Sequence, residues 1–140
     1  MSAKTFVDTN VLVYAYDRNA TVKQAIARDL LEELWRERTG VLSVQVLQEF
    51  YVTVTKKIGK PLTKERAREV VNTYALWCGE TSAVEVAAAS RIEEHSRVAF
   101  WDALIVASAA KAGADRIVSE DMNDGQLLAG VRVENPFART

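Results

Sequence analysis

Thr5-Phe6-Val7-Asp8-Thr9-Asn10-Val11-Leu12 is the stretch from which the fold is read. Thr5-Phe6-Val7 is a short β-branched and aromatic run, the character of a buried strand. Asp8-Thr9-Asn10 stops it, and Val11 to Tyr16 reads as a short helix. The rest of the chain repeats this strand-then-helix unit. After the turn Asp17-Arg18-Asn19, Thr21 is placed to cap a helix running to about Arg38, with Ile26, Leu30, Leu31 and Leu34 on one face. Gly40 is expected to end it. Val41-Leu42 is a second strand, and Ser43 is placed to cap a helix carrying Leu47, Phe50, Tyr51, Val54 and Ile58, closed by Gly59 and Pro61. Thr63 opens a helix through Trp77, and Glu80 to Ala83 reads as a brief strand. Val84–Ser96 and Phe100–Ala112 are helical, with Gly113 after the second. Arg116-Ile117-Val118 and Val131-Arg132-Val133 are the last strands, stopped by Asn135-Pro136. Short strands alternating with helices predict a three-layer α/β/α domain with a mostly parallel central sheet. No repeat, low-complexity tract or linker interrupts the pattern, so one domain is expected over 1–140.

Composition narrows the chemistry. With 49% hydrophobic and 26% charged residues the chain is an ordinary globular sequence. No apolar run approaches the roughly 20 residues of a membrane span. The opening MSAKTFVDTN lacks the apolar core of a signal peptide, which makes the cytoplasm the expected compartment. A single cysteine, Cys78, leaves no disulfide within the chain and no cysteine-based zinc cluster. A single histidine, His95, leaves no paired-histidine ribonuclease mechanism. Polar chemistry therefore falls to the 19 carboxylates, balanced by 18 Lys and Arg.

Parallel sheets place ligand sites beyond the carboxyl ends of their strands. Asp8 follows the first strand directly, and Asp121 follows Ile117-Val118 by a turn. Glu49 lies on the helix leaving the second strand. Asp102 begins a helix, Phe100 to Ala107, that is apolar almost all round and so expected to be buried. Each acid has a structural alternative. Asp8 and Asp102 could cap helices, Asp121 could serve a turn, and Glu49 could pair with Lys57 or Arg66. Together they make a stronger case. Four acids on one sheet edge repel each other, and protonation or bound cations relieve that repulsion. Oxygen ligands without His or Cys select Mg²⁺ or Mn²⁺. Two such ions can activate a water and stabilise a phosphoryl transition state.

These segments resemble the motifs of the PIN-domain ribonucleases. Val7-Asp8-Thr9-Asn10-Val11-Leu12 is similar to the family's opening motif, and Leu42-Ser43 with Gln48-Glu49-Phe50 to its second. Phe100-Trp101-Asp102-Ala103-Leu104-Ile105-Val106-Ala107 resembles the third, and Val118-Ser119-Glu120-Asp121-Met122 the fourth. They come in order over nearly the whole chain, before a closing Asn135-Pro136-Phe137. The size resembles the VapC-type toxin branch. The resemblance implies Mg²⁺- or Mn²⁺-dependent hydrolysis of RNA phosphodiesters, two ions per site, a cognate small antitoxin as partner, and a homodimer. It makes Asp8, Glu49, Asp102 and Asp121 the metal-binding carboxylates. Asn10 would orient the first acid, and the hydroxyls of Ser43 and Ser119 would line the site. Asp124 precedes Gly125 where many relatives carry an Asp-Phe pair. The fourth acid is therefore Asp121 or Asp124. The spacing from Ser119 favours Asp121, with Asp124 as a flanking candidate.

Positive charge for RNA is offered by Lys56, Lys57, Lys60, Lys64, Arg66 and Arg68 around one helical corner, although such a corner can equally be plain solvated surface. Setting aside the four acids leaves fifteen against eighteen bases, so a net charge of −1 does not argue against a nucleic-acid partner. Trp35, Trp77 and Cys78 read as packing groups, and His95 as surface. Two other functions compete. One is a degenerate PIN-like module that only binds RNA or protein. The other is a phosphohydrolase using Asp8 as covalent nucleophile, which Asn10 disfavours because the general acid expected two residues later is missing.

Overall fold

The computed structural model describes residues 3–138. The one-domain expectation for 1–140 reaches two residues further at each end, outside the described residues. The strands are β1 (Lys4–Val7), β2 (Gly40–Val41), β3 (Ala114–Val118), β4 (Leu127–Leu128) and β5 (Val131–Glu134). They form one sheet in the order β2-β1-β3-β5-β4. β1 pairs in parallel with β2 and β3, and β3 with β5, while β4 joins the edge antiparallel. Phe6 lies beside Ile117 and Val7 beside Val118. All four are buried, as expected of central parallel strands covered on both faces.

The helices are α1 (Thr9–Tyr16), α2 (Thr21–Glu37), α3 (Val44–Lys56), α4 (Lys64–Tyr74), α5 (Ala83–Ser96) and α6 (Phe100–Lys111). α1 packs on α2 and α3, α3 on α4, α5 on α6, and α6 on β3 and β5. The result is the three-layer α/β/α arrangement expected from the alternation of elements. Among the described residues no helix is long and apolar enough to cross a membrane.

Several boundaries differ from the sequence reading, each for a local reason. α1 begins at Thr9, not Val11, because Asp8 itself occupies the cap and accepts the Thr9 N–H at 2.7 Å. Thr21 is already helical; Ala20 is the cap residue and makes no side-chain cap bond. α2 stops at Arg38, whose left-handed backbone (φ 60°) sends its N–H back to the Leu34 and Trp35 carbonyls. Gly40 instead lies in β2, where the Trp77 indole presses so close that a Cβ would fall 2.5 Å from it. The helix from Thr63 ends at Tyr74 and tightens into a 3₁₀ turn, Ala75–Trp77. No strand forms over Glu80–Ala83. The strand-like contact falls earlier, where Cys78 bridges Leu42, and Ser82 with Glu85 then forms a capping box that starts α5. The short edge strand β4 was not anticipated; two residues carry no readable period.

Trp35, Tyr74 and Trp77 form one aromatic cluster, with Trp77 4.7 Å from Trp35 and 5.0 Å from Tyr74 between ring centroids. Both tryptophans are thus packing groups. His95 is exposed, as read from its polar setting.

Candidate active site

The chain leaves β1 for β2 on one side and later enters β3 on the other. The carboxyl ends of β1 and β3 therefore flank a point where the strand order reverses. An open cleft of about 690 Å³ lies there. Asp8, Glu49, Asp102 and Asp121 all line it, brought from the end of β1, from α3, from the first turn of α6 and from the turn after β3.

Asp8 is the deepest of the four, only 7% exposed. Its Oδ2 accepts the Ser119 hydroxyl at 2.7 Å and the Asn10 amide at 3.3 Å. Burial pushes its carboxyl up to about 6, against the lowering effect of the Ser119 and Thr9 hydrogen bonds; the charges of Glu49 and Asp102 add to the rise. Asp102 is raised as well, first by burial and then by the charges of Asp121 and Glu49. The sequence alternative that Asp102 caps its helix does not hold, since Ala99 has the cap position. Asp8, in contrast, is at once a helix cap and a cleft acid.

Asn10 links the strand ends. Its amide N–H₂ lies 3.3 Å from Asp8 Oδ2, from Ser119 Oγ and from Asp121 Oδ2, so two protons are shared among three acceptors. Its Oδ1 accepts the Glu120 N–H at 2.9 Å, which fixes which way the amide faces. Ser119 is fully buried, and its hydroxyl also accepts the Asp121 N–H at 3.2 Å. Thr9, expected only to help stop the first strand, donates its hydroxyl to Glu49 Oε1 at 2.7 Å. Glu49 is thus held by Thr9; neither Lys57 nor Arg66 forms an ion pair with it among the described residues. The signal for Thr9 was a hydroxyl between Asp8 and Asn10 in what proves to be the first helical turn.

Two predicted residues stand elsewhere. Asp124 does not line the cleft; its carboxylate accepts the Asn135 N–H at 2.9 Å and closes a turn. Asp121 is the acid that enters the cleft. Ser43 has the backbone of a helix cap, but its hydroxyl makes no cap bond. It is buried without a partner and lines a separate cavity with Glu85, Ser108 and Lys111. Glu120 also lines the cleft and is engaged. Burial would raise its carboxyl, but bonds from Lys23 and Tyr14, the latter at 2.7 Å, hold it below the usual range.

The six basic residues have different surroundings. Only Lys57, capping α3, lines the cleft. Arg66 pairs with Glu69 at 3.2 Å, and Arg68 borders a shallow apolar groove with Tyr51 and Val71. Gln45 and Trp101 line the cleft and were missed as site residues. For Gln45 the signal was spacing: Gln45, Glu49, Thr53 and Lys57 recur every four residues along one face of α3.

Among the described residues no three His, Cys, Asp or Glu side chains already close into a metal cage. The four acids stand around an open cleft, where burial raises Asp8 and Asp102 and the neighbouring carboxylates add to the rise. An all-oxygen donor set under such repulsion fits a hard divalent cation, which would draw the carboxylates together.

A family model described as the PIN domain matches residues 5–123, and the chain belongs to that family. Among solved structures it is similar to a toxin-antitoxin complex from Klebsiella pneumoniae, at 19% identity and a TM-score of 0.70, over 97% of this chain and 98% of that one. It is also similar to DNA-bound VapBC from Salmonella typhimurium, at 18% identity and TM-score 0.66, over 96% and 99%. A third is VapC20 of Mycobacterium tuberculosis, described as a sarcin-ricin loop cleaving toxin, at 20% identity and TM-score 0.58, over 84% and 90%. At these identities the likeness is one of fold. No curated protein matches the chain.

Proposed function

We propose that this protein is a divalent-metal-dependent endoribonuclease and the toxin of a toxin–antitoxin pair. The observation that carries the nuclease reading is the convergence of Asp8, Glu49, Asp102 and Asp121 on one cleft, with the Asp8 carboxyl raised to about 6. The toxin reading is supported by PIN-family membership and by structural neighbours whose descriptions are toxin–antitoxin complexes and an RNA-cleaving toxin.

Asp8 and Asp102 would hold one Mg²⁺ or Mn²⁺, and Glu49 with Asp121 a second. Such ions supply charge neutralisation at phosphoryl oxygens and a more acidic water. The chain's own residues prepare the site. Ser119 and Asn10 lock the Asp8 carboxylate, as groups behind a ligand do. Thr9 locks Glu49 from the first turn of α1. Lys57 puts a cation on the cleft wall where a phosphate of the RNA backbone can rest.

A small antitoxin and a second copy of this chain are the proposed protein partners, and the cytoplasm the proposed compartment. Titrating Mn²⁺ and Mg²⁺ into the protein with total RNA, then sequencing the RNA ends, tests the activity. Metal-dependent cuts at defined positions support it. No cleavage at any metal concentration would leave a binding module.

A further inference from the structure

Trp101 is 64% exposed, yet it belongs to the cleft wall beside Asp102. A single exposed apolar side chain means little by itself. This one is held in place. Phe100 meets it edge to face at 5.3 Å and 77°. Its backbone carbonyl accepts the Gln45 amide at 3.4 Å, which ties the start of α6 to α3. Ala103 and Ile105 to Ala109, in the following turns of α6, are buried and anchor the helix that carries the indole. An exposed π-face on an anchored helix next to an acid cleft is the feature that proteins use to stack an unpaired base.

The opposite end of the cleft has a different character. Along α3 the lining runs from Gln45 through Glu49 and Thr53 to Lys57, about 18 Å at the helical rise. Aromatic surface lies at one end, carboxylates in the middle and a lysine at the other end. That order suits a single strand, which offers a base face and separated phosphates together. A duplex, with its bases already stacked, offers no free face to the indole.

We propose that Trp101 is a nucleobase-stacking subsite, positioned by Phe100 and Gln45, that selects RNA with an unpaired base next to the bond cut at the acids. The proposal rests on the ribonuclease reading and deepens it. Trp101 positions substrate; it takes no part in the chemistry.

The test compares wild type, Trp101→Ala and Trp101→Phe. The probes are a random-sequence single-stranded 12-nucleotide RNA and an abasic ribose-phosphate oligomer of the same length. Binding is measured in Ca²⁺ and cleavage in Mn²⁺. Trp101→Ala is expected to raise Kd and KM for the RNA roughly 5- to 150-fold with kcat little changed. Trp101→Phe should recover most of the loss. On the abasic oligomer all three proteins should bind alike. RNA should quench the tryptophan emission of the wild type and not that of Trp101→Ala, because Trp35 and Trp77 are enclosed in their aromatic cluster. If the wild type cleaves RNA and Trp101→Ala binds and cleaves equally well, the subsite is overturned and the indole is left for a protein contact. If the wild type cleaves no RNA, the ribonuclease reading falls first and the subsite with it.

Discussion

The Ser119 hydroxyl donates to Asp8 Oδ2 across 2.7 Å, joining residues 111 apart in the chain. Two adjacent parallel strands make this possible, because β1 and β3 end side by side. Removing the hydroxyl takes from Asp8 a bond that favours its charged form. Ser119→Ala should therefore push the Asp8 carboxyl higher still. Protons compete with metal for the carboxylate, so the acidic limb of the Mn²⁺-dependent activity profile should move to higher pH. Measuring cleavage from pH 5 to 8 checks this; an unmoved limb contradicts it.

Asp8 also ties stability to pH. Its folded-state value of about 6 lies above the ordinary 3.8, so the folded state binds the proton more tightly than the unfolded one. Its contribution is full below about pH 4 and is lost as pH rises through about 6. The rise corresponds to about 3 kcal/mol. In EDTA, urea melts of the wild type should show this loss between pH 4 and 7. Asp8→Asn should flatten the dependence and raise the midpoint at pH 7, a common cost relieved when a functional charge is removed.

Gly40 packs under the Trp77 indole, where any Cβ would overlap the ring. Gly40→Ala should force the ring or β2 to shift and cost about 1–3 kcal/mol. A thermal melt reads the loss, and metal affinity should stay unchanged because neither residue lines the acid cleft.

Glu85 is 4% exposed and is paired with Lys111 at 2.9 Å while accepting from Ser82. The Lys111 bond, then the Ser82 bonds, hold its carboxyl down to about 2. A lowered acid contributes stability that is present above its ordinary 4.5 and fades as pH falls toward 2. Lys111→Met should lower Tm at pH 7, and Glu85→Gln added to it should recover part of the loss. Melts of the single and double variants decide.

The alternation of strands and helices was readable because each β-branched run sits beside a helical period long enough to recognise. Asp8 and Asp121 were readable because parallel topology directs strand ends to one edge, and Glu49 and Asp102 because each lies near the start of a helix in a largely apolar setting. What was not readable depends on contacts made across the chain. Ser43 looks like a cap, but its hydroxyl is buried and makes no cap bond. Asp124 and Asp121 are the same residue type three positions apart, yet only the folded chain shows that Asp124 accepts the N–H of Asn135, just after β5. Trp101 sits in an apolar run that predicts burial, yet it is exposed on the cleft wall.

Whether the acid cleft cuts RNA is decided by cleavage with wild type and Asp8→Asn across a Mn²⁺ titration. Metal-dependent cleavage is expected of the wild type and none of a fully folded Asp8→Asn protein. Cleavage by Asp8→Asn at the wild-type rate, or wild-type cleavage undiminished by EDTA, would contradict this expectation.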